Sequence, residues 1–325
     1  MSAFYPDADL FGLEAIEEET LQFNRRLEQE IARAPAITEL EPQVIRDARE
    51  AGESVFGPIV TVDEARWRTV PGRDGEIRVR VIEPEEVQGV YLHLHGGGWT
   101  LGAPHHSDLH NLEIAQETGL VTISVEYRLA PEHPFPAGLE DCEDAALWVA
   151  RNAAAEWGTD KLIIGGESAG AHLAVGTLLR LRDRHGYGDF LGANLVYGAY
   201  DLAMTPSAAN WGERNLVLNT PIIRWFVDRL QPPEPLRRPE VSPLYADLQG
   251  LPRALFTIGT EDPLLDDSLF MHARWNAAGN ESVLAVYPGG AHGFDRFPIE
   301  LAARARRRIH RFLKNRLLPD GDDES

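Results

Sequence analysis

The stretch Leu162-Ile163-Ile164-Gly165-Gly166-Glu167-Ser168-Ala169-Gly170, continued by the helical run Ala171–Leu181, decides the fold. Leu162–Gly165 reads as a short buried strand, Gly166–Gly170 as a sharp turn, and the Ala- and Leu-rich continuation as a helix. A G-x-S-x-G turn between strand and helix lifts a serine hydroxyl above the sheet. Glycine stands at both ends of the turn because a side chain there would crowd neighbouring elements. The helix begins directly behind the serine, and its free N–H groups and dipole favour an anion at that point. Ser168 is therefore the candidate nucleophile.

Outward from this turn, short apolar runs alternate with helix-length segments. Strands are expected at Val90–Leu94, Val121–Val125, Leu162–Gly165, Ala193–Tyr197, Ala254–Ile258 and Val283–Tyr287. Helices are expected near 106–118, 138–155, 169–185, 221–230, 266–278 and 297–315. The alternation implies crossover connections, so the fold class is α/β, a mostly parallel central sheet flanked by helices. Ile77–Val81 alternates with period two and reads as a half-exposed strand. Amphipathic helices are expected at 12–34 and 41–52, ahead of any strand. Between Tyr200 and Ser242 no strand is apparent, and an insertion of that size often covers a binding site. The expected organisation is an N-terminal part of a helical cap at 1–65, a catalytic domain at 66–200 and 243–317, a cap insertion at 201–242, and an acidic tail at 318–325.

Two further loops carry chemistry. His95-Gly96-Gly97-Gly98-Trp99 follows the strand Val90–Leu94, and three glycines let backbone amides point at a substrate. Such amides stabilise an oxyanion by about 3–4 kcal/mol per donor. The spacing and lysine of a phosphate-binding loop are missing. Of the eleven histidines, His292 lies in the loop Gly289–Phe294 between the last strand and the last helix, where parallel sheets place their reactive groups. His310 reads as a solvated residue of a basic helix, His272 and His185 fall on helices, and His105 and His106 fall near the pocket rim. The acid that orients the base should follow Ala254–Ile258. That loop crowds Glu261, Asp262, Asp266 and Asp267 together; Asp262, stiffened by Pro263, is favoured, with Glu261 and Asp266 as rivals. Trp99, Trp211 and Phe294 are candidate substrate-pocket walls, which would favour acyl groups of a few carbons.

Composition narrows the partners. The 325 residues carry a net charge of −20, which disfavours nucleic acid and anionic membranes. Cys142 is the single cysteine, so no internal disulfide is possible, and an apolar neighbourhood marks it as a buried thiol. The acidic N-terminus has no signal-peptide pattern, and no run approaches the ~18 apolar residues of a spanning helix. A cytoplasmic location is the expectation.

Taken together, His95-Gly96-Gly97-Gly98-Trp99, the string Glu126-Tyr127-Arg128-Leu129-Ala130-Pro131-Glu132-His133-Pro134-Phe135-Pro136-Ala137, Gly166–Gly170, Asp262-Pro263-Leu264 and His292-Gly293-Phe294 resemble the hormone-sensitive lipase family of bacterial esterases, family IV. The resemblance covers most of the chain from about residue 65. It implies an α/β-hydrolase fold with a helical cap and a carboxylesterase that works through an acyl-enzyme. Ser168, His292 and Asp262 would form its triad, and the amides of Gly97, Gly98 and Ala169 its oxyanion hole. It implies no metal and no organic cofactor, a small-molecule ester as substrate, and permits a homodimer. For Tyr127–Ala137, His133 included, a structural role under the glycine loop is expected. Glu167 stands where the family usually has Asp or Thr, and Ala171-His172 where it has Gly-Asn. Lactone or amide hydrolysis by the same triad is the alternative chemistry. A non-catalytic receptor on the same fold, resembling the plant gibberellin receptors, would have lost the catalytic histidine, whereas all three triad positions are filled here.

Overall fold

The computed structural model describes residues 8–318, so the acidic tail expected at 318–325 lies outside the described residues from residue 319 onward. Two helices precede the sheet, α1 (Glu18–Ile31) and α2 (Pro42–Glu50). Eight strands follow: β1 (Arg66–Gly72), β2 (Gly75–Ile82), β3 (Gly89–Leu94), β4 (Leu120–Val125), β5 (Leu162–Glu167), β6 (Phe190–Val196), β7 (Ala254–Glu261) and β8 (Ser282–Ala291). They pair in the order β1-β2-β4-β3-β5-β6-β7-β8. The β1/β2 and β2/β4 pairs are antiparallel, and every other pair is parallel. The connecting helices are α3 (Asp108–Thr118), α4 (Ala137–Trp157), α5 (Ala169–His185), α6 (Pro206–Asn210), α7 (Thr220–Leu230) and α8 (Leu265–Ala277), and α9 (Glu300–Asn315) follows β8.

The apolar runs form strands here because both faces of the sheet are covered. Every residue of β3, β4 and β5 is buried. Successive side chains go to opposite sides. Val90, Leu92 and Leu94 join the cluster that holds Cys142 and Leu173 of α4 and α5, whereas Tyr91 joins the cluster of Ile309 and Phe312 of α9. Each large aliphatic side chain buried this way contributes about 2 kcal/mol.

Two expectations need correction. The β2 segment is not half-exposed along Ile77–Val81: Arg80 is buried, because α3 supplies Asp108 to pair with it at 2.6 Å. His310 is half-buried rather than solvated, since α9 turns it inward to a cavity also lined by His110, Glu167 and Asp295.

The helices ahead of the sheet are tied to its carboxyl end. On α1, Asn24 Nδ2 donates to Gly289 O at 2.8 Å. On α2, Arg46 Nε donates to Thr100 O and its Nη2 to Ala130 O, each at 2.9 Å. Ile37, between the two helices, packs with Ile222 and Ile223 of α7. That helix starts where Asn219 caps it, accepting from Ile222 N at 2.9 Å, with Pro221 in the first turn. Among the described residues no helix is long and apolar enough to cross a membrane.

Candidate active site

β5 ends at Glu167 and α5 begins at Ala169, which leaves Ser168 alone to turn the chain. It does so at φ 55° and ψ −118°, a conformation a non-glycine residue adopts only under constraint. Ser168 N donates to Val196 O at 2.9 Å, and Ser168 O accepts from His172 N at 3.2 Å. A Cβ at Gly166 or Gly170 would overlap the carbonyl oxygen of Leu94, so the elbow rests on the end of β3 through two surfaces free of side chains.

Ser168 Oγ lies 3.0 Å from His292 Nε2, and His292 Nδ1 lies 2.8 Å from Asp262 Oδ2. The Asp262 side chain is fully shielded from solvent and that of His292 is 9% exposed. Asp262 Oδ1 accepts from Leu264 N at 2.9 Å, which fixes the carboxylate. Its rivals are engaged elsewhere. Glu261 pairs with Arg214, and Asp266 accepts from Ser207 N at 2.8 Å. Asp267 accepts from Tyr200 N and Thr205 Oγ1, both at 2.6 Å. With Nδ1–H donated to Asp262, the His292 lone pair is on Nε2, facing the serine hydroxyl.

The glycine loop runs through three positive φ angles in succession, 121° at Gly97, 57° at Gly98 and 60° at Trp99. It lies against the elbow, since a Cβ at Gly96 would sit 3.6 Å from Ser168 Cβ. Ala169 follows the serine as the first residue of α5. Tyr127 Oη donates to His95 O at 2.7 Å and Ala130 N to Trp99 O at 2.9 Å, so the Tyr127–Ala137 string grips both ends of the loop. Arg128 in turn is held by Asp141 at 2.9 Å, and His133 is exposed.

The aromatic side chains expected as walls take framework places. Trp99 is buried and donates to His172 Nδ1 at 3.1 Å, while His172 Nε2 donates to Val241 O at 2.9 Å. Burial holds that imidazole neutral, its pKa lowered to about 4. Phe294 is buried between the rings of Tyr197 and Tyr287. Trp211 is half-buried and donates to Arg214 O at 2.7 Å within its own loop. Two other rings reach the loops of the site. Phe226 of α7 occupies the space a Cβ on Gly98 would need, and Phe56 lies 2.9 Å from the corresponding point on Gly293.

A charged group is also set beneath the elbow, which the sequence marks only by Glu167. Glu167 Oε1 meets His93 Nε2 at 3.0 Å, and Oε2 meets Arg296 Nη2 at 3.4 Å. Burial alone would raise the Glu167 carboxyl. Its interactions with His93 and Arg296 outweigh it and hold the group well below the usual carboxylate range. Tyr197 closes the set, its ring 4.8 Å from that of His292 and its hydroxyl donating to Asp295 Oδ1 at 2.6 Å. These residues come from four separate stretches, and no single motif joins them. The longer reach of Glu167 over Asp is the one local hint.

Comparison with known proteins places the chain among esterases of one fold. A family model described as the alpha/beta hydrolase fold matches residues 91–296. Carboxylesterase NlhH of Mycobacterium tuberculosis is 34% identical over 251 residues, covering 73% of this chain and 77% of that protein. The solved hyperthermophilic esterase of Pyrobaculum calidifontis superposes with a TM-score of 0.81 at 32% identity, covering 90% of this chain and 97% of the other. A hormone-sensitive lipase from a metagenome library superposes with a TM-score of 0.81 at 25% identity, covering 92% and 98%.

Proposed function

Because the chain belongs to the hormone-sensitive lipase-like family of the α/β-hydrolase fold and is a carboxylic ester hydrolase, we propose that it hydrolyses short-chain esters through Ser168, His292 and Asp262. The alignment of Ser168 Oγ, His292 and Asp262 at 3.0 and 2.8 Å carries this reading. His292 Nε2 takes the hydroxyl proton as Ser168 Oγ bonds to the ester carbonyl carbon. The resulting oxyanion is received by the amides of Gly97, Gly98 and Ala169. The imidazolium then gives its proton to the departing alkoxide, and the acyl group stays on Ser168. Water repeats the sequence from the other side, with His292 as base and Ser168 as leaving group. Asp262 keeps Nδ1 protonated and offsets the imidazolium charge without being protonated itself. Short acyl groups are favoured because Phe226 and Phe56 crowd the loops on either side of the serine.

Turnover of p-nitrophenyl esters from acetate to palmitate by wild type, Ser168→Ala and His292→Ala tests this. Activity concentrated on the short esters and lost in both variants supports it. Retained activity in Ser168→Ala, or a rise toward palmitate, overturns the triad or the chain-length reading respectively.

A further inference from the structure

Glu50 on α2 and His105 and His106 in the 3-10 turn Pro104–Ser107 converge at a place the ester chemistry does not use. His106 Nε2 lies 2.7 Å and His105 Nε2 3.1 Å from the same oxygen, Glu50 Oε1. One ligand atom from each of the three lies within 4.8 Å of the other two. A tetrahedral ion with bonds of ~2.0–2.2 Å sets its ligand atoms ~3.3–3.6 Å apart, so each imidazole need only draw back slightly from the carboxylate oxygen to admit it.

Two imidazoles and one carboxylate suit a borderline ion such as zinc, whereas calcium and magnesium take oxygen ligands. Binding at Nε2 requires the ring proton on Nδ1, and His105 Nδ1 is buried without a hydrogen-bond partner, so zinc must outweigh the cost of an unpaired N–H there. The Glu50 side chain is 52% exposed, which leaves a side open for water as fourth ligand. Arg49 is turned aside to Ser54 and Gly57. The net charge of −20 draws cations to the molecule.

We propose that Glu50, His105 and His106 form a zinc site that staples α2 to the segment following the glycine loop. The place for such a staple is prepared on both sides. Arg46, one turn earlier on α2, already holds Thr100 O and Ala130 O. Arg296, from the loop of His292, donates to Ser107 Oγ at 3.0 Å and to His106 O at 3.3 Å. An ion at Glu50 links the helix to that turn by bonds far stronger than the existing hydrogen bonds, and so binds the folded chain alone.

Calorimetric titration of chelator-treated full-length protein with zinc chloride, run beside calcium and magnesium, tests the site. Wild type is expected to bind one more zinc ion than Glu50→Gln or His106→Ala, or to bind it at least about tenfold tighter. It should gain about 2–5 °C in unfolding temperature at saturation, a gain the variants lack. Cobalt(II) added to wild type should give the visible absorption of a tetrahedral nitrogen–oxygen site, a readout that needs no variant. Equal zinc binding by all three proteins, zinc binding no tighter than calcium, or an octahedral cobalt spectrum overturns the proposal.

Discussion

Ser168 stores strain. At φ 55° it occupies a conformation that costs a residue with a Cβ about 1–3 kcal/mol and glycine little. Ser168→Gly and Ser168→Ala should both lose ester turnover by about 10⁴-fold or more. Only the glycine variant sheds the strain, so it should exceed Ser168→Ala in stability by about 1 kcal/mol in urea unfolding. Equal midpoints would show that the elbow is unstrained. Asp267 makes a second prediction. Burial raises its pKa from 3.8 to about 7, against the pull of the Thr205, Tyr200 and Asp201 hydrogen bonds. The folded state thus favours the protonated acid. Its contribution to stability is full below about pH 4, declines as pH rises toward 7, and is constant above, by about 4 kcal/mol at most. Wild type should therefore lose ground to Asp267→Asn across that window in thermal melts, and parallel curves would refute the shift. At this scale the meeting of Ser168, His292 and Asp262 was legible because each sits in a short local pattern. Position and Pro263 favoured Asp262 over Glu261 and Asp266, and the resemblance strengthened that choice, since the partners that occupy the other two, Arg214 and Ser207, lie in a distant insertion.

α7 meets the glycine loop at the Phe226 ring, so in the proposed site the two elements bound the acyl pocket together. Phe226→Ala should remove the ring above Gly98 and move the preferred p-nitrophenyl ester to a longer acyl chain. An unchanged profile would place the limit elsewhere. Gly98→Ala should overlap Phe226 and displace the loop, lowering kcat about 10²–10³-fold with the fold intact by circular dichroism. Wild-type kcat in that variant would remove the loop from the mechanism. The α/β alternation itself was legible from residue 77 onward, because strands buried on both faces are written as unbroken apolar runs. β1 was not. Its residues Arg66, Trp67 and Thr69 are exposed, and it is held by antiparallel pairing with β2 at the sheet edge rather than by an apolar pattern. The same pairing of unlike neighbours hid Arg80, whose burial depends on Asp108 of α3.

Over the whole molecule, 51 acidic residues face 31 basic ones. Self-repulsion at net charge −20 opposes the compact state, and salt screens it over ~10 Å at 0.1 M. Raising sodium chloride from 10 mM to 500 mM should increase the unfolding temperature, and a flat or falling trend would mean that attractive pairs dominate. Composition sets that charge but not its arrangement, which depends on how elements from both ends of the chain meet. The bond from Asn24 to Gly289 O, 265 residues apart, is such a meeting. It has a consequence for synthesis. On the ribosome the first helix is made long before its seat exists, and must wait until the last strand has left the exit tunnel. A nascent chain stalled anywhere before residue 289 would leave α1 open to protease, and docking of that helix would be among the closing events of the birth of the molecule.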